Sequence, residues 1–120
     1  MADDLLSRGM AVTKQLWGER AGGVEFPAQK LAPEFFMLVA QFCFGMFWSR
    51  PNLDIRSRSL CTVAQLAALG RLDELKAHLL GARNLGITRE ELVEVLMQTA
   101  CYAGVPAAVA ALTAGADVLK

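Results

Sequence analysis

The sequence predicts an all-α protein, a compact helical bundle of about six helices. Three observations point there. Apolar residues recur at helical spacing from end to end, capping and stop residues fall between the periodic runs, and no alternating strand pattern emerges. At 120 residues one domain is expected, covering residues 1–120.

The first helix is expected over Asp4 to Trp17, followed by a loop of Gly18, Gly22, Gly23 and Pro27 that reaches Leu31. Pro33 suits the first turn of a second helix, because its missing N–H costs nothing there. That helix, Glu34 to Trp48, is apolar nearly all round, the pattern of a buried helix. Arg50-Pro51-Asn52 breaks it. Asp54 is an N-cap candidate for a third helix, Ile55 to Leu69, and Gly70 is a natural left-handed stop. A fourth runs from Leu72 to Leu85 and ends at Gly86. Thr88-Arg89-Glu90-Glu91 has capping-box spacing, in which both side chains satisfy free backbone donors at a helix start. The fifth helix continues to Ala103. Gly104-Val105-Pro106 then separates it from an alanine-rich sixth helix ending near Leu119. Connections this short pack consecutive helices antiparallel.

The composition is unusually apolar for so short a chain. It is 54% hydrophobic, and about 62% when the ten glycines are counted and the one tyrosine is not, against an average of about 45–50%. A chain of this size buries only about two thirds of its surface alone. The expected outcome is a homo-oligomer, a trimer or hexamer, that buries apolar helix faces between subunits. A membrane span is not expected. Phe35 to Ser49 is uncharged but shorter than the roughly 20 residues needed, and Met97 to Ala116 carries Gln98 and is interrupted by Gly104 and Pro106. Met1-Ala2-Asp3-Asp4-Leu5-Leu6 opens acidic and lacks the basic start and apolar core of a secretory signal, so a cytoplasmic location is expected. Cys43, Cys61 and Cys101 are widely spaced within apolar runs, which suits reduced, buried thiols; there is no CxxC and no zinc pattern. Twelve basic and twelve acidic residues cancel, and no basic stripe interleaved with aromatics appears. Nucleic acid and anionic membranes are therefore poor partner candidates.

Chemistry-bearing residues concentrate in the middle of the chain. His78, the single histidine, is the default acid or base, since its ordinary pKa lies near neutrality. A merely structural or exposed ring is the alternative. Glu74 lies four residues earlier on the same helix face, where it would fix the ring tautomer and favour the protonated form, or form a bland exposed pair. Arg50, Arg56 and Arg58 flank the turn into the third helix, where the helix dipole disfavours positive charge by about 0.3–1 kcal/mol. Either an anionic ligand held by the guanidinium groups or nearby acidic residues would offset that. Phe35, Phe36, Phe42, Phe44, Phe47 and Trp48 crowd one segment, as a pocket wall or as core and interface.

From Leu31 to Leu119 the chain resembles the carboxymuconolactone decarboxylase family. The resemblance rests on Phe44-Gly45, Trp48-Ser49-Arg50-Pro51, Leu53-Asp54, Arg56-x-Arg58-Ser59-Leu60 and Ala67-Ala68-Leu69-Gly70-Arg71. It continues through His78, Ala82-Arg83-Asn84-x-Gly86 and Gln98-Thr99-Ala100-x-Tyr102-x-Gly104-Val105-Pro106-Ala107-Ala108. It implies small helical subunits in an alkyl hydroperoxidase D-like fold that assemble into oligomers, often hexamers. In the alkyl hydroperoxidase D branch a CxxC, a later histidine and an upstream glutamate form a thiol relay. The matching positions here are Arg71, Glu74, His78 and Ser59, so thiol peroxidase chemistry is not expected.

The decarboxylase branch implies a butenolide substrate with a ring carboxylate and an acetate arm, as in the protocatechuate branch of aromatic catabolism. The reaction needs no cofactor: electrons left by carbon dioxide delocalise through the double bond to the lactone carbonyl, and a proton is then delivered. The resemblance implies His78 for hydrogen bonding or proton delivery with Glu74 beside it, Arg50 or Arg58 for the substrate carboxylates, and Phe44 and Trp48 for the pocket wall. Three departures stand out. Met46 replaces an acidic residue, Val109 replaces an asparagine, and Gly18 to Glu25 lacks the family's Gly-x-x-His-Val-x-Arg segment. Met46 and Val109 make the pocket more apolar, as for a relative acting on another unsaturated oxo acid. A non-catalytic oligomeric binding or scaffold protein is the alternative from a different class, and it would leave His78 titrating freely.

Overall fold

In the first helix, α1 (Ala2–Trp17), the buried positions Gly9, Val12, Thr13 and Leu16 follow the spacing of a single helical stripe. The computed structural model describes residues 2–18 and 26–120. Among these, all regular structure is helical: α2 (Pro27–Leu31), α3 (Pro33–Val39), a π-helical continuation of α3 over Ala40–Trp48, α4 (Ile55–Leu69), α5 (Leu72–Asn84), α6 (Arg89–Tyr102) and α7 (Val105–Gly115). Internal contacts divide the chain into two compact units, Met1–Ile55 and Arg56–Lys120.

In the first unit α1 packs on the π-helical stretch. Glycine makes this possible at two points. A Cβ on Gly9 would overlap the Ala40 carbonyl oxygen, and one on Gly45 would overlap the carbonyl oxygen of Leu5. The π-helical ladder closes with the Ser49 N–H donating to the Phe44 carbonyl 3.2 Å away, five residues back. Ring pairing follows the wider turn, since Phe42 and Phe47, five apart, meet edge to face at 5.2 Å.

Two expectations change here. The segment 27–31 is a short helix rather than loop, started by Pro27 and by Gln29 Oε1 accepting from the Phe26 N–H at 3.1 Å. The rest of the expected glycine loop, from residue 19 to 25, and with it nearly all of the stretch compared with the Gly-x-x-His-Val-x-Arg segment, lies outside the described residues. The apolar second helix is not a buried one. Gly45 is its single fully buried residue, while Phe35, Leu38 and Phe42 are each more than half exposed.

The second unit carries a continuous apolar core. Val63 and Ala67 of α4, Leu75, Leu79 and Ala82 of α5, Leu92 and Leu96 of α6, and Ala111 of α7 join Ile87 and Leu119 in one cluster. Its helix ends are set locally. Gly70, Gly86 and Gly104 adopt positive φ at the three breaks between helices. At the start of α6, Thr88 Oγ1 accepts from the Glu91 N–H at 3.1 Å while Glu91 Oε1 accepts from the Thr88 N–H at 3.2 Å, the expected capping box. The last helix stops earlier than its alanine content suggests, at Gly115. The chain then turns so that Leu119 enters the core, where its carbonyl accepts from Arg89 Nε at 2.6 Å.

Candidate active site

The aromatic wall is built on the π-helical stretch of the first unit. Phe44 and Trp48 are partly buried with ring centroids 5.6 Å apart, and Trp17 of α1 meets Phe44 edge-on at 5.8 Å. Met46, between them in sequence, is 45% exposed. Ser49 caps the stretch by donating its hydroxyl to the Gly45 carbonyl, and the exposed Arg50 follows, its N–H held by the Phe47 carbonyl at 3.1 Å. Aromatic surface and a guanidinium group thus lie one turn apart on the same short segment.

The second unit carries the titratable groups. His78 lies on α5 among the core residues Leu75, Leu79 and Ala82, and its Nδ1 is buried. Loss of water around the ring lowers its pKa from 6.5 to about 4, because desolvation disfavours the charged form. The imidazole is therefore neutral at pH 7, contrary to the expectation that Glu74 would favour its protonated form. Burial outweighs the exposed carboxylate one turn away. A neutral ring offers one N–H donor and one acceptor nitrogen, suited to hydrogen bonding with a developing oxyanion.

The arginines divide. Arg56 pairs with the Glu91 carboxylate. That pairing, followed by the Thr88 cap, holds the Glu91 carboxyl below its ordinary range. Here nearby acid, rather than a ligand, offsets the helix dipole. Arg58, partly buried in the first turns of α4, and Arg50 are the remaining members of the group. Phe44, Met46, Trp48 and Arg50 thus belong to the first unit, and Arg58, Glu74 and His78 to the second.

Two features were not singled out as site candidates. Ser59 is completely buried, and its Oγ has no hydrogen-bond partner among the described residues. Leaving a buried hydroxyl unpaired costs about 1–3 kcal/mol. Its place on the stripe Ser59, Val63, Ala67 is readable in the sequence, but its lack of a partner is not. A groove of about 380 Å³ also runs between α4 and α6, lined by Leu60, Cys61, Ala64, Val95, Thr99 and Tyr102. It holds none of the candidate catalytic or substrate-binding residues. All three cysteines are free, but Cys61 and Cys101 are exposed and only Cys43 is partly buried, which raises its thiol pKa. The expectation of buried thiols therefore fails at two positions, where the cysteines fall on outward faces of α4 and α6.

Among the described residues the regular structure is entirely helical, with the single histidine largely shielded from water on α5. Residues 33–117 match the model of the carboxymuconolactone decarboxylase family. The chain is similar to the 4-carboxymuconolactone decarboxylase of Acinetobacter baylyi, 44% identical over 87 residues, covering 72% of this chain and 65% of that protein. It is also similar to the nitrosuccinic acid decarboxylase of Metarhizium robertsii, 35% identical over 75 residues, covering 62% of this chain and 52% of that protein. The matched stretch is thus less than two thirds of either relative's own length. The chain belongs to the carboxymuconolactone decarboxylase family.

Proposed function

We propose that this chain is a cofactor-free carboxy-lyase acting on a small carboxylated lactone such as 4-carboxymuconolactone, the substrate class in the name of the Acinetobacter relative. The observation that carries the reading is His78, one imidazole held neutral in an apolar setting. In the reaction the bond from ring carbon to carboxylate breaks and carbon dioxide leaves. The electron pair runs through the double bond onto the lactone carbonyl oxygen. An N–H of His78 hydrogen-bonds to that oxygen as charge develops. The new negative charge raises the affinity of the ring for a proton, which it takes from solvent and delivers to carbon. Glu74 biases the ring's tautomer.

Arg50 or Arg58 holds the substrate carboxylates through paired N–H bonds. Phe44, Trp48 and Met46 form a wall that takes water from the reacting carboxylate, which destabilises it more than the charge-dispersed transition state. On this reading residues 1–120 make up a single family domain of alkyl hydroperoxidase D-like architecture. Exposed Phe35, Leu38 and Phe42 support assembly into a homo-oligomer, a trimer or hexamer, working in the cytoplasm. No helix among the described residues is long and apolar enough to cross a membrane.

Met46 and Val109, both about half exposed, favour as a second reading a relative that takes a different, less polar unsaturated oxo acid. A non-catalytic scaffold has less support, since it gives no reason to bury the one imidazole. The test is carbon dioxide release from freshly generated 4-carboxymuconolactone, run beside His78→Ala. Release that depends on His78 is expected. No release from a folded oligomer would move the assignment to another substrate, and full turnover by His78→Ala would remove His78 from the mechanism.

A further inference from the structure

The surface of the second unit changes character along α6. In α5 and the first turns of α6 exposed positions carry charge, among them Asp73, Glu74, Lys76, Arg83, Glu90 and Glu94. Residues 95–102 of α6 and 59–69 of α4 contain no charged side chain. Both stretches nevertheless reach the surface, through Gln65, Ala68 and Leu69 on α4 and Met97, Gln98 and Tyr102 on α6. A helix face turned to water ordinarily carries charge, and depletion of charge marks the core of a protein interface. The groove of about 380 Å³ lies between these two stretches, with Leu60, Ala64 and Ala68 on one side and Val95, Thr99 and Tyr102 on the other. Tyr102 forms its lip and is 94% exposed. A small molecule would lie against that open side, whereas pockets built for small ligands cover about 70–90% of the ligand surface.

We propose that a second copy of this chain docks on the α4–α6 groove through a two-fold contact, in which Tyr102 of each copy enters the groove of the other. This deepens the homo-oligomer reading and rests on it. A projection and a recess side by side on one face are what a two-fold contact uses, since each copy supplies both. With no charge on either uncharged stretch, nothing in them repels an identical face. A tyrosine suits the place because its ring is buried while its hydroxyl stays at the wet rim. A stable contact takes about 800 Å² from each partner, close to a tenth of this chain's 7555 Å². Aromatic side chains bury about 150–250 Å² each, so Tyr102 alone supplies about a fifth of that area. Phe35, Leu38 and Phe42 lie in the first unit and are not among the residues that line the groove. A two-fold contact pairs subunits, so the assembly holds an even number of copies, and of the trimer and the hexamer it selects the hexamer.

The test is the particle mass of the unmodified protein, Ala68→Arg and Tyr102→Lys, measured by sedimentation at one concentration, with circular dichroism to follow the helices. Both positions are exposed, and both lie at the C-terminal end of a helix, where a positive charge suits the dipole, so the fold is expected to stand. The unmodified protein is expected to hold an even number of copies. Each charged variant should fall to half that mass or less with unchanged helix content, while Tyr102→Phe keeps the full mass. Should Tyr102→Lys lose helix, Ala68→Arg makes the same comparison alone. An unmodified trimer, or folded charged variants that keep the full mass, would overturn the docking and leave the homo-oligomer reading in place. An unmodified monomer of 13.0 kDa would remove both.

Discussion

Burying His78 ties the stability of the fold to pH in a window that can be named. The unfolded ring titrates near 6.5 and the folded one near 4. Above about pH 6.5 the ring is neutral in both states and contributes no pH dependence. Between about 6.5 and 4 the unfolded chain binds a proton that the folded chain refuses, so stability falls by up to about 1.4 kcal/mol per pH unit. Below about pH 4 both states are charged and the loss levels off at about 3 kcal/mol. From about pH 7.5 to about pH 5 the expected loss is about 2 kcal/mol. The assay is urea denaturation across that range at fixed protein concentration, because assembly also shifts apparent stability. His78→Gln serves as the comparison, since it removes the titrating group. Glu91, held low by Arg56 and Thr88, acts only at lower pH and equally in both proteins. Parallel pH dependences in the two proteins would refute the reasoning, and with it the picture of a desolvated ring.

Two other outcomes are expected. Gly45→Ala places a methyl group against the Leu5 carbonyl oxygen, with no flexible side chain able to yield. It should destabilise the protein by about 1–3 kcal/mol in chemical denaturation, as overpacking does. Leu38→Arg puts charge on the exposed apolar face of α3. Light scattering should then report a smaller particle than the unmodified assembly, and a clean monomer of 13.0 kDa for the unmodified protein would remove the oligomer proposal.

Helix boundaries were readable where local chemistry decides them. The Thr88 capping box and the glycine stops at positions 70, 86 and 104 involve groups only a few residues apart, so the sequence contains both partners of each interaction. Pro33 opened α3 for the same reason. The π-helical ladder was not readable, because it goes with the close approach of α1 at Gly9 and Gly45, a tertiary contact. The early end of α7 likewise depends on Arg89, far away in sequence, taking the Leu119 carbonyl. His78 stood out as the sole imidazole, whereas its neutral state depends on how far packing shields the ring from water. Arg56 looked the same as its two neighbours until Glu91, more than 30 residues on, was brought to it. The exposure of Cys61 and Cys101 follows from which helix face meets the core, which only the packed helices decide.

The π-helical stretch also affects how the chain tolerates change in length. An α-helix advances side chains by about 100° per residue, and the wider ladder over Ala40–Trp48 advances them by less. Removing one residue from this stretch would let the backbone relax into an ordinary α-helix with no bond left unmade. The two changes offset, because eight residues at the larger advance turn the chain about as far as nine at the smaller one, so Trp48 and Arg50 would stay near the faces they now occupy. Point substitutions on its exposed face leave the register alone. A single deletion is therefore absorbed here more easily than in an ordinary α-helix, where it would turn everything downstream by about 100°.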